Sequence, residues 1–240
     1  MKTDKHQLEK INDIWTGVWA NTPETLDFCD PLVIFKFKYF LKPVLDQLPR
    51  NANVLEIGAG NFQWLLLIRA FRPDLQLHGL DCCDASKDYA NRYGFRFIEA
   101  DARSIGLEDN SFDFVFSWGV IEHLHETEMM LKEHFRLSKK YVAYDVPYKY
   151  SIPIIRLSRI NRRNGVSKEE EMYRDGKFYS RNEFFMMLQN VLQEQRLQNS
   201  EICIMNNYRV LPSFLSRFEI LVPTWLRKRI GHNVGALVSF

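Results

Sequence analysis

The chain has 240 residues, and its content of 46% hydrophobic and 14% aromatic residues is enough to bury a substantial core. The formal net charge of +2 excludes a protein that binds nucleic acid through overall charge. The charge is uneven, because residues 148–240 hold 15 Lys/Arg against 8 Asp/Glu. A basic C-terminal third suits an anionic substrate or an acidic membrane surface, and a plain solvated face is the alternative.

Motifs for export, membrane spanning and metal binding are missing from the sequence. The start is polar, and no apolar run approaches the roughly 18 residues of a spanning helix. The four cysteines have no CxxC spacing. We therefore expect a reduced, cytoplasmic protein without a metal site.

The first 52 residues are predicted to form a helical extension in front of the sheet. Apolar residues recur there at helical spacing, with Trp15 and Trp19 among them. These two tryptophans are expected to be packing residues. The alternative is that they form part of a lid over a ligand pocket.

The stretch over residues 54–62 organises the rest of the chain. A short apolar run ends at Gly58 and Gly60, and a helix-forming stretch follows, which is where an open α/β sheet binds its ligand. A dinucleotide turn would continue to a third glycine, but Gln63 stands there. Glu56 would repel a phosphate and would favour an ammonium or sulfonium group. We expect a cationic ligand, and a simple turn is the alternative.

Further strands follow at regular spacing and alternate with helices. This pattern predicts a mainly parallel sheet with helices on both faces. The predicted strands cover residues 54–57, 75–80, 95–99, 112–117, 141–146, 201–205 and 235–239. The first five form the strand and helix repeats, and the last two come late in the chain.

The whole chain, 1–240, is predicted to be one domain. Its parts are the helical extension 1–52, a ligand-binding core 53–147, a substrate-side insertion 148–180, and C-terminal helices with the last two strands over 181–240. The insertion interrupts the strand and helix rhythm, and loops of this kind commonly select substrates. Ser180 and Glu183 match a capping box that begins a helix.

Two aspartates stand at predicted strand ends. Asp81 lies about 20 residues past the glycine turn, where a carboxylate accepts hydrogen bonds from both hydroxyls of a ribose. Asp101 follows the third strand and could accept a hydrogen bond from an adenine amino group. Helix capping is the alternative role of both residues, and Asp84 or Ser86 could also provide the cap after Asp81.

Taken together, these motifs resemble the class I S-adenosylmethionine-dependent methyltransferases. The resemblance covers residues 53–147 and rests on four motifs in order: Val54-Leu55-Glu56-Ile57-Gly58-Ala59-Gly60, Gly79-Leu80-Asp81, Glu99-Ala100-Asp101-Ala102, and Ser111-Phe112-Asp113-Phe114-Val115 leading to Val120-Ile121-Glu122-His123-Leu124. It implies a Rossmann-like, doubly wound α/β fold. The seven-stranded sheet would be mostly parallel with the last strand antiparallel.

The resemblance also implies S-adenosyl-L-methionine as the cofactor and assigns roles to residues. The cofactor-binding set is Glu56, Gly58, Ala59, Gly60, Asp81, Cys82, Asp101, Ala102, Ser117 and Trp118. Glu56 would lie near the ammonium group, Asp81 would bind the ribose, and Asp101 with Ala102 would bind the adenine. The pair Cys82-Cys83 departs from the small polar or apolar pair that is common in the family.

Methyl transfer requires the acceptor to be aligned for in-line displacement, and a neutral acceptor also needs a base. His123 is the candidate base by position, although the equivalent histidine is structural in many relatives. We expect a small-molecule or lipid-linked acceptor and no nucleic acid, because no separate RNA-binding module is evident. Residues 212–230 are apolar and then basic, which is compatible with peripheral membrane contact or with packing on the domain itself.

Two other functions are open at this stage. One is a catalytically silent methyltransferase-like protein that binds the cofactor or a partner. The other is a Rossmann oxidoreductase, which Gln63 and Glu56 oppose.

Overall fold

The computed structural model describes residues 5–20, 31–151, 176–197, 199–207, 210, 218 and 221–240. The predicted insertion over 148–180 lies largely outside the described residues, and the segment 212–230 lies partly outside them. Within the described residues, no helix is both long and apolar enough to span a membrane.

Seven strands form one sheet, which has the order β3-β2-β1-β4-β5-β7-β6. The strands are β1 Asn53–Ile57, β2 Gln76–Asp81, β3 Arg96–Glu99, β4 Phe112–Trp118, β5 Ser138–Pro147, β6 Glu201–Asn207 and β7 Asn233–Ser239. Strands β1 to β5 are parallel, and β7 is antiparallel to both β5 and β6. This confirms the predicted doubly wound, seven-stranded sheet with an antiparallel last strand.

Helices flank the sheet and precede it. They are α1 Lys5–Ala20, α2 Pro31–Lys36, α3 Lys42–Leu45, α4 Gln63–Phe71, α5 Asp84–Tyr93, α6 Thr127–Leu137, α7 Arg181–Glu194 and α8 Thr224–Ile230. A π-helical turn, Phe37–Leu41, joins α2 to α3. The capping box predicted at the start of α7 is present, since the Ser180 side chain accepts from the Glu183 N–H and Glu183 accepts from the Ser180 N–H.

The core lies on both faces of the sheet, because parallel strands are covered on both sides. Val54 packs in one apolar cluster, whereas Leu55 and Ile57 pack in another. This alternation follows from the strand period of two. The ends of β1, β2 and β4 are thereby fixed side by side at one edge of the sheet.

The sequence after β4 predicts that residues 118–124 lead directly into a helix, and the structure differs from this prediction. The structure has a 3-10 turn, Ile121–His123, and α6 begins only at Thr127. The Thr127 hydroxyl lies 3.2 Å from the carbonyl oxygen of Ile121 and 3.3 Å from that of Leu124, so this side chain closes the turn. The predicted helix is therefore divided in two, and His123 stays beside the strand end.

Candidate active site

A cavity of about 350 Å³ opens at the carboxyl ends of β1, β2 and β4. This volume is within the range of small-molecule sites. Its lining comes from the strand ends, the turns that follow them and α1: Ile11, Trp15, Trp19, Glu56, Gly58, Ala59, Asn61, Gln63, Trp64, Leu80, Asp81, Cys82, Cys83, Ala100, Asp101, Ala102, Trp118, Gly119, Val120, His123 and Leu124.

The turn after β1 requires glycine at two positions. Gly58 and Gly60 have φ angles of 74° and 49°. A Cβ atom at Gly58 would lie 2.1 Å from Cγ2 of Val120, and one at Gly60 would lie 2.3 Å from the ring of Trp19. Both neighbours line the cavity, so the glycines let the backbone approach it closely.

Glu56 places a carboxyl group in the cavity wall with one oxygen unsatisfied. The residue is only 2% exposed, and its Oε2 atom has no hydrogen-bond partner. Burial raises the pKa of Glu56 well above its usual value, and the nearby charge of Asp81 raises it further. Buried carboxyl groups normally have partners. An unpartnered one in a cavity wall fits a ligand that brings a cation or a hydrogen-bond donor.

The Asp81 carboxylate, at the end of β2, bonds to the turn after β1 and to the turn after β2. Its Oδ2 accepts from the Gly60 N–H at 2.9 Å, and its Oδ1 accepts from the Cys83 N–H at 2.9 Å. A carboxylate has about four lone-pair sites, so Asp81 keeps acceptor capacity for ligand hydroxyls. Burial raises the pKa of the Cys82 thiol to about 12, with Asp81 as the next cause, so this thiol is protonated at neutral pH.

Asp101 and Ala102 line the same cavity, but Asp101 already has a partner. Its carboxylate accepts from the backbone N–H of Arg103 at 3.0 Å and from Nε of Arg103 at 3.1 Å. Arg103 in turn donates from Nη1 to Glu126 at 3.0 Å. This chain of charges fixes the position of the Asp101 carboxylate in the wall.

The end of β4 places its two predicted residues differently. Trp118 lines the cavity, whereas Ser117 is buried and its Oγ donates to the carbonyl oxygen of Ile57 at 2.9 Å. Successive side chains of a strand point to opposite faces, which explains the difference.

Gly60 also lies outside the cavity lining, and it contributes to the site by donating its N–H to Asp81. The other eight predicted cofactor-binding residues all line the cavity.

The candidate base, His123, also lines the cavity. Its ring stands edge-on to Trp15 with centroids 4.9 Å apart. Oε1 of Glu122 lies 4.0 Å from Nε2 of His123, and burial raises the pKa of Glu122 to about 8. Two ionisable groups therefore lie together where the turn after β4 meets α1.

Helix α1 covers the cavity and contributes Trp15 and Trp19 to its wall. The Asn12 side chain accepts from the backbone N–H of Asp84 at 3.1 Å, and Tyr89 donates to the carbonyl oxygen of Trp19 at 3.2 Å. These bonds attach α1 to α5. The two tryptophans lie where the lid alternative would place them, and Asn12 accepts the first backbone N–H of α5.

A buried polar cluster that the sequence did not reveal lies behind the wall. Lys36 forms an ion pair with Asp145, and Asn233 donates to the same carboxylate at 2.6 Å. The Lys36 ammonium lies 5.8 Å from the ring centroids of both Trp64 and Trp118, which line the cavity. No group of three metal-ligating side chains is close enough to bind an ion among the described residues.

Solved structures share this fold. A possible histamine N-methyltransferase from Thermotoga maritima is 19% identical with a TM-score of 0.56, covering 86% of this chain and 94% of that one. The magnesium protoporphyrin IX methyltransferase of Synechocystis, with bound S-adenosylhomocysteine, is 12% identical with a TM-score of 0.59, covering 98% and 99%. A plantazolicin methyltransferase with the same bound product is 16% identical with a TM-score of 0.54, covering 98% of both chains.

At this identity the likeness shows the fold, which is that of class I S-adenosylmethionine-dependent methyltransferases. Residues 55–141 also match the family described as the methyltransferase domain. No curated protein matches the chain in sequence. Residues 55–141 therefore match a methyltransferase domain within a chain that has the class I methyltransferase fold, and this match indicates S-adenosylmethionine as the cofactor.

Proposed function

We propose that this protein transfers a methyl group from S-adenosylmethionine to an O, N or C atom of a small or amphipathic acceptor. The observation that carries the proposal is the unpartnered Glu56 carboxyl beside a turn in which only glycine fits. The ligand matching this wall has an ammonium group and a ribose. S-adenosylmethionine has both.

The chain's own residues bind and orient the cofactor. The Gly58 turn makes room for its methionine part, Glu56 accepts from the ammonium group, and Asp81 accepts from the ribose hydroxyls. Asp101 and Ala102 form the adenine wall. The cofactor supplies an electrophilic methyl group on a sulfonium, so the protein mainly has to align the acceptor and exclude water.

The cavity wall supports an acceptor with an apolar or aromatic part. Four tryptophans line it: Trp15, Trp19, Trp64 and Trp118. His123 is placed to remove a proton from a neutral acceptor, with Glu122 close behind it. The basic C-terminal third of the chain favours an acceptor with anionic character, such as a lipid-linked or sugar-derived molecule.

The first experiment is calorimetric titration with S-adenosylmethionine, S-adenosylhomocysteine and NAD. We expect the first two to bind and Asp81→Asn to weaken them by about 1–3 kcal/mol, because a hydroxyl partner is lost. Asp113→Asn is the matched control, since Asp113 also accepts a backbone N–H, at 2.8 Å from Asn53, but lies outside the cavity lining. Binding of NAD alone would refute the proposal.

Turnover separates an enzyme from a silent binder. We expect S-adenosylhomocysteine to form faster when an extract fraction of small amphipathic molecules is added. If both cofactor forms bind and no fraction raises the rate, the catalytically silent alternative is the better description.

A further inference from the structure

Large apolar side chains are exposed on α8 and just before it. Leu221 is 73% exposed, Trp225 66% and Ile230 45%. Ile34 on α2 is 50% exposed. Together with two exposed basic residues nearby they form what we call the outer patch: Ile34, Lys38, Leu221, Trp225, Arg229 and Ile230. Clustered exposed apolar residues commonly mark an interaction surface.

Helix α8 is held against α2 and the π-helical turn, so the elements that carry the outer patch contact each other. The Arg227 guanidinium lies 5.4 Å from the ring centroid of Phe35, and the Lys228 ammonium lies 4.2 Å from that of Tyr39. The end of α8 is also anchored, because Arg181 donates to the carbonyl oxygen of Lys228 at 2.9 Å. The side chains of Trp225 and Ile230 are therefore presented outward by a fixed helix.

The charge of this surface has one sign. Residues 31–45 contain three lysines and no acidic residue, and residues 221–233 contain three basic residues and no acidic residue. Lys36 and Arg227 are buried, and Lys42 pairs with Asp46. The exposed basic groups are then Lys38 and Arg229, whereas Lys228 is half-buried over the Tyr39 ring. Exposed tryptophan and aliphatic side chains beside basic residues are typical of segments that bind anionic membrane surfaces.

The outer patch is also linked to the cavity. Lys36 extends from the inner face of α2 toward Trp64 and Trp118, while Ile34 and Lys38 lie on its exposed face. One side of α2 thus belongs to the outer patch, and the other side contacts residues of the cavity wall. A surface to which the outer patch binds would therefore lie on the α2 side of the cavity wall.

We propose that the outer patch docks on an anionic lipid bilayer. Trp225 and its apolar neighbours enter the headgroup boundary, and Lys38 and Arg229 contact lipid phosphates. The inference rests on the proposed function in one respect: it identifies the acceptor as a molecule that lies in, or is linked to, the membrane.

The test is cosedimentation with vesicles of phosphatidylcholine alone or mixed with phosphatidylglycerol. We expect the protein to bind the anionic vesicles and to be released by high salt, which screens the basic side chains. Trp225→Ser with Ile230→Ser should weaken binding about tenfold or more, since apolar area is lost from the interface. Lys38→Glu with Arg229→Glu should remove the preference for anionic lipid. Met186→Ser, at an exposed apolar residue on α7, is the matched control and should bind as the wild type does.

Three outcomes would overturn the proposal. They are no binding to anionic vesicles, equal binding by the Trp225 and Ile230 double variant, and a concentration-dependent dimer that this variant abolishes. Calorimetry with S-adenosylmethionine on the same preparations separates the two proposals. Cofactor binding without vesicle binding rejects docking alone, whereas vesicle binding without cofactor binding rejects the proposed function alone.

Discussion

Glu56 lies in a position that would be unfavourable without a ligand. Its carboxyl is buried, one oxygen has no partner, and its pKa is raised by burial and by Asp81. An ammonium group beside it would lower that pKa and favour the charged form. We therefore expect binding of S-adenosylmethionine to release a proton over the pH range in which Glu56 titrates.

Glu56→Gln tests this link. We expect the variant to bind S-adenosylmethionine with a loss of roughly 1.5–3 kcal/mol, the contribution of a hydrogen bond to a charged group. Proton release, measured by calorimetry at one pH in buffers of different ionisation enthalpy, should disappear. The cofactor-free variant should be more stable than the wild type, because a buried carboxyl is removed.

Glu122→Gln is the control for Glu56→Gln. Glu122 is equally buried with an unpartnered oxygen but does not line the cavity. Its substitution should leave cofactor affinity and proton release unchanged. Equal losses in both variants would mean that the effect comes from burial alone.

The sequence could predict the residues that follow strand ends but not those from a distant helix. Glu56, Asp81 and Asp101 could be predicted as site residues because parallel strands end at the same edge of a sheet. Trp15 and Trp19 reach the cavity from α1, which the chain places by contacts far apart in sequence, such as Asn12 with Asp84. Helical spacing showed that these tryptophans share a face, but it did not show what that face covers.

At the scale of elements, the packing of α1 on the glycine turn connects the fold to the site. The ring of Trp19 occupies the space that a side chain at Gly60 would need. The same turn donates the Gly60 N–H to Asp81. One residue thus holds both the covering helix and the predicted ribose-binding carboxylate.

Gly60→Ala should therefore affect both stability and cofactor binding, whereas backbone strain alone would affect only stability. Gly94 offers a matched control, since its φ is 69° and nothing lies within 4 Å of a Cβ built there. Both alanines should lose about 1–2 kcal/mol of unfolding free energy from the left-handed backbone. Only Gly60→Ala should also displace Trp19 and weaken binding of S-adenosylmethionine.

Urea unfolding and calorimetry measure the two effects of these glycine variants separately. If Gly94→Ala weakened cofactor binding as much as Gly60→Ala, the contact between Trp19 and the turn would have no role in the site.

The number and type of the strands were predictable, and their connections less so. Strands β1 to β5 alternate with helices at short spacing, so their apolar runs identified them. The break before α6 depends on the Thr127 hydroxyl, which bonds to carbonyls earlier in the chain. That is a local side-chain effect that periodicity does not report. Strand β5 likewise begins at Ser138, ahead of the apolar run from Tyr141.

For the whole molecule, buried carboxyls determine how stability depends on pH. The pKa values of Glu56, Asp81 and Glu122 are all raised by burial, that of Glu122 to about 8. The unfolded chain loses these protons near pH 4, whereas the folded chain keeps them to higher pH. Unfolding free energy therefore falls as pH rises toward the folded pKa values. Burial lowers the pKa of His134 to about 3, so below about pH 6.5 the unfolded chain binds a proton that the folded chain does not. In that range His134 makes the unfolding free energy rise with pH.

We expect the unfolding free energy of the cofactor-free protein to fall between about pH 6.5 and 8. Glu122 alone should account for about 1–2 kcal/mol of this fall, at close to 1.4 kcal/mol per pH unit for one proton. Glu122→Gln should make the dependence shallower and raise stability at pH 8. Urea denaturation at a series of pH values measures the unfolding free energy. If this free energy changed with pH in the variant as steeply as in the wild type, the result would contradict the raised pKa of a buried Glu122.

The tryptophans divide the molecule into two optical regions. Four of the five indoles surround the cavity, and the fifth, Trp225, stands on the opposite side of α2 in the outer patch. Fluorescence that acrylamide quenches most readily therefore comes mainly from the exposed Trp225, while the less accessible fluorescence comes from the half-buried tryptophans of the cavity wall. With Trp225→Phe the remaining fluorescence would come from the cavity wall alone. The unmodified chain thus contains its own pair of probes, one for the cavity and one for the outer surface.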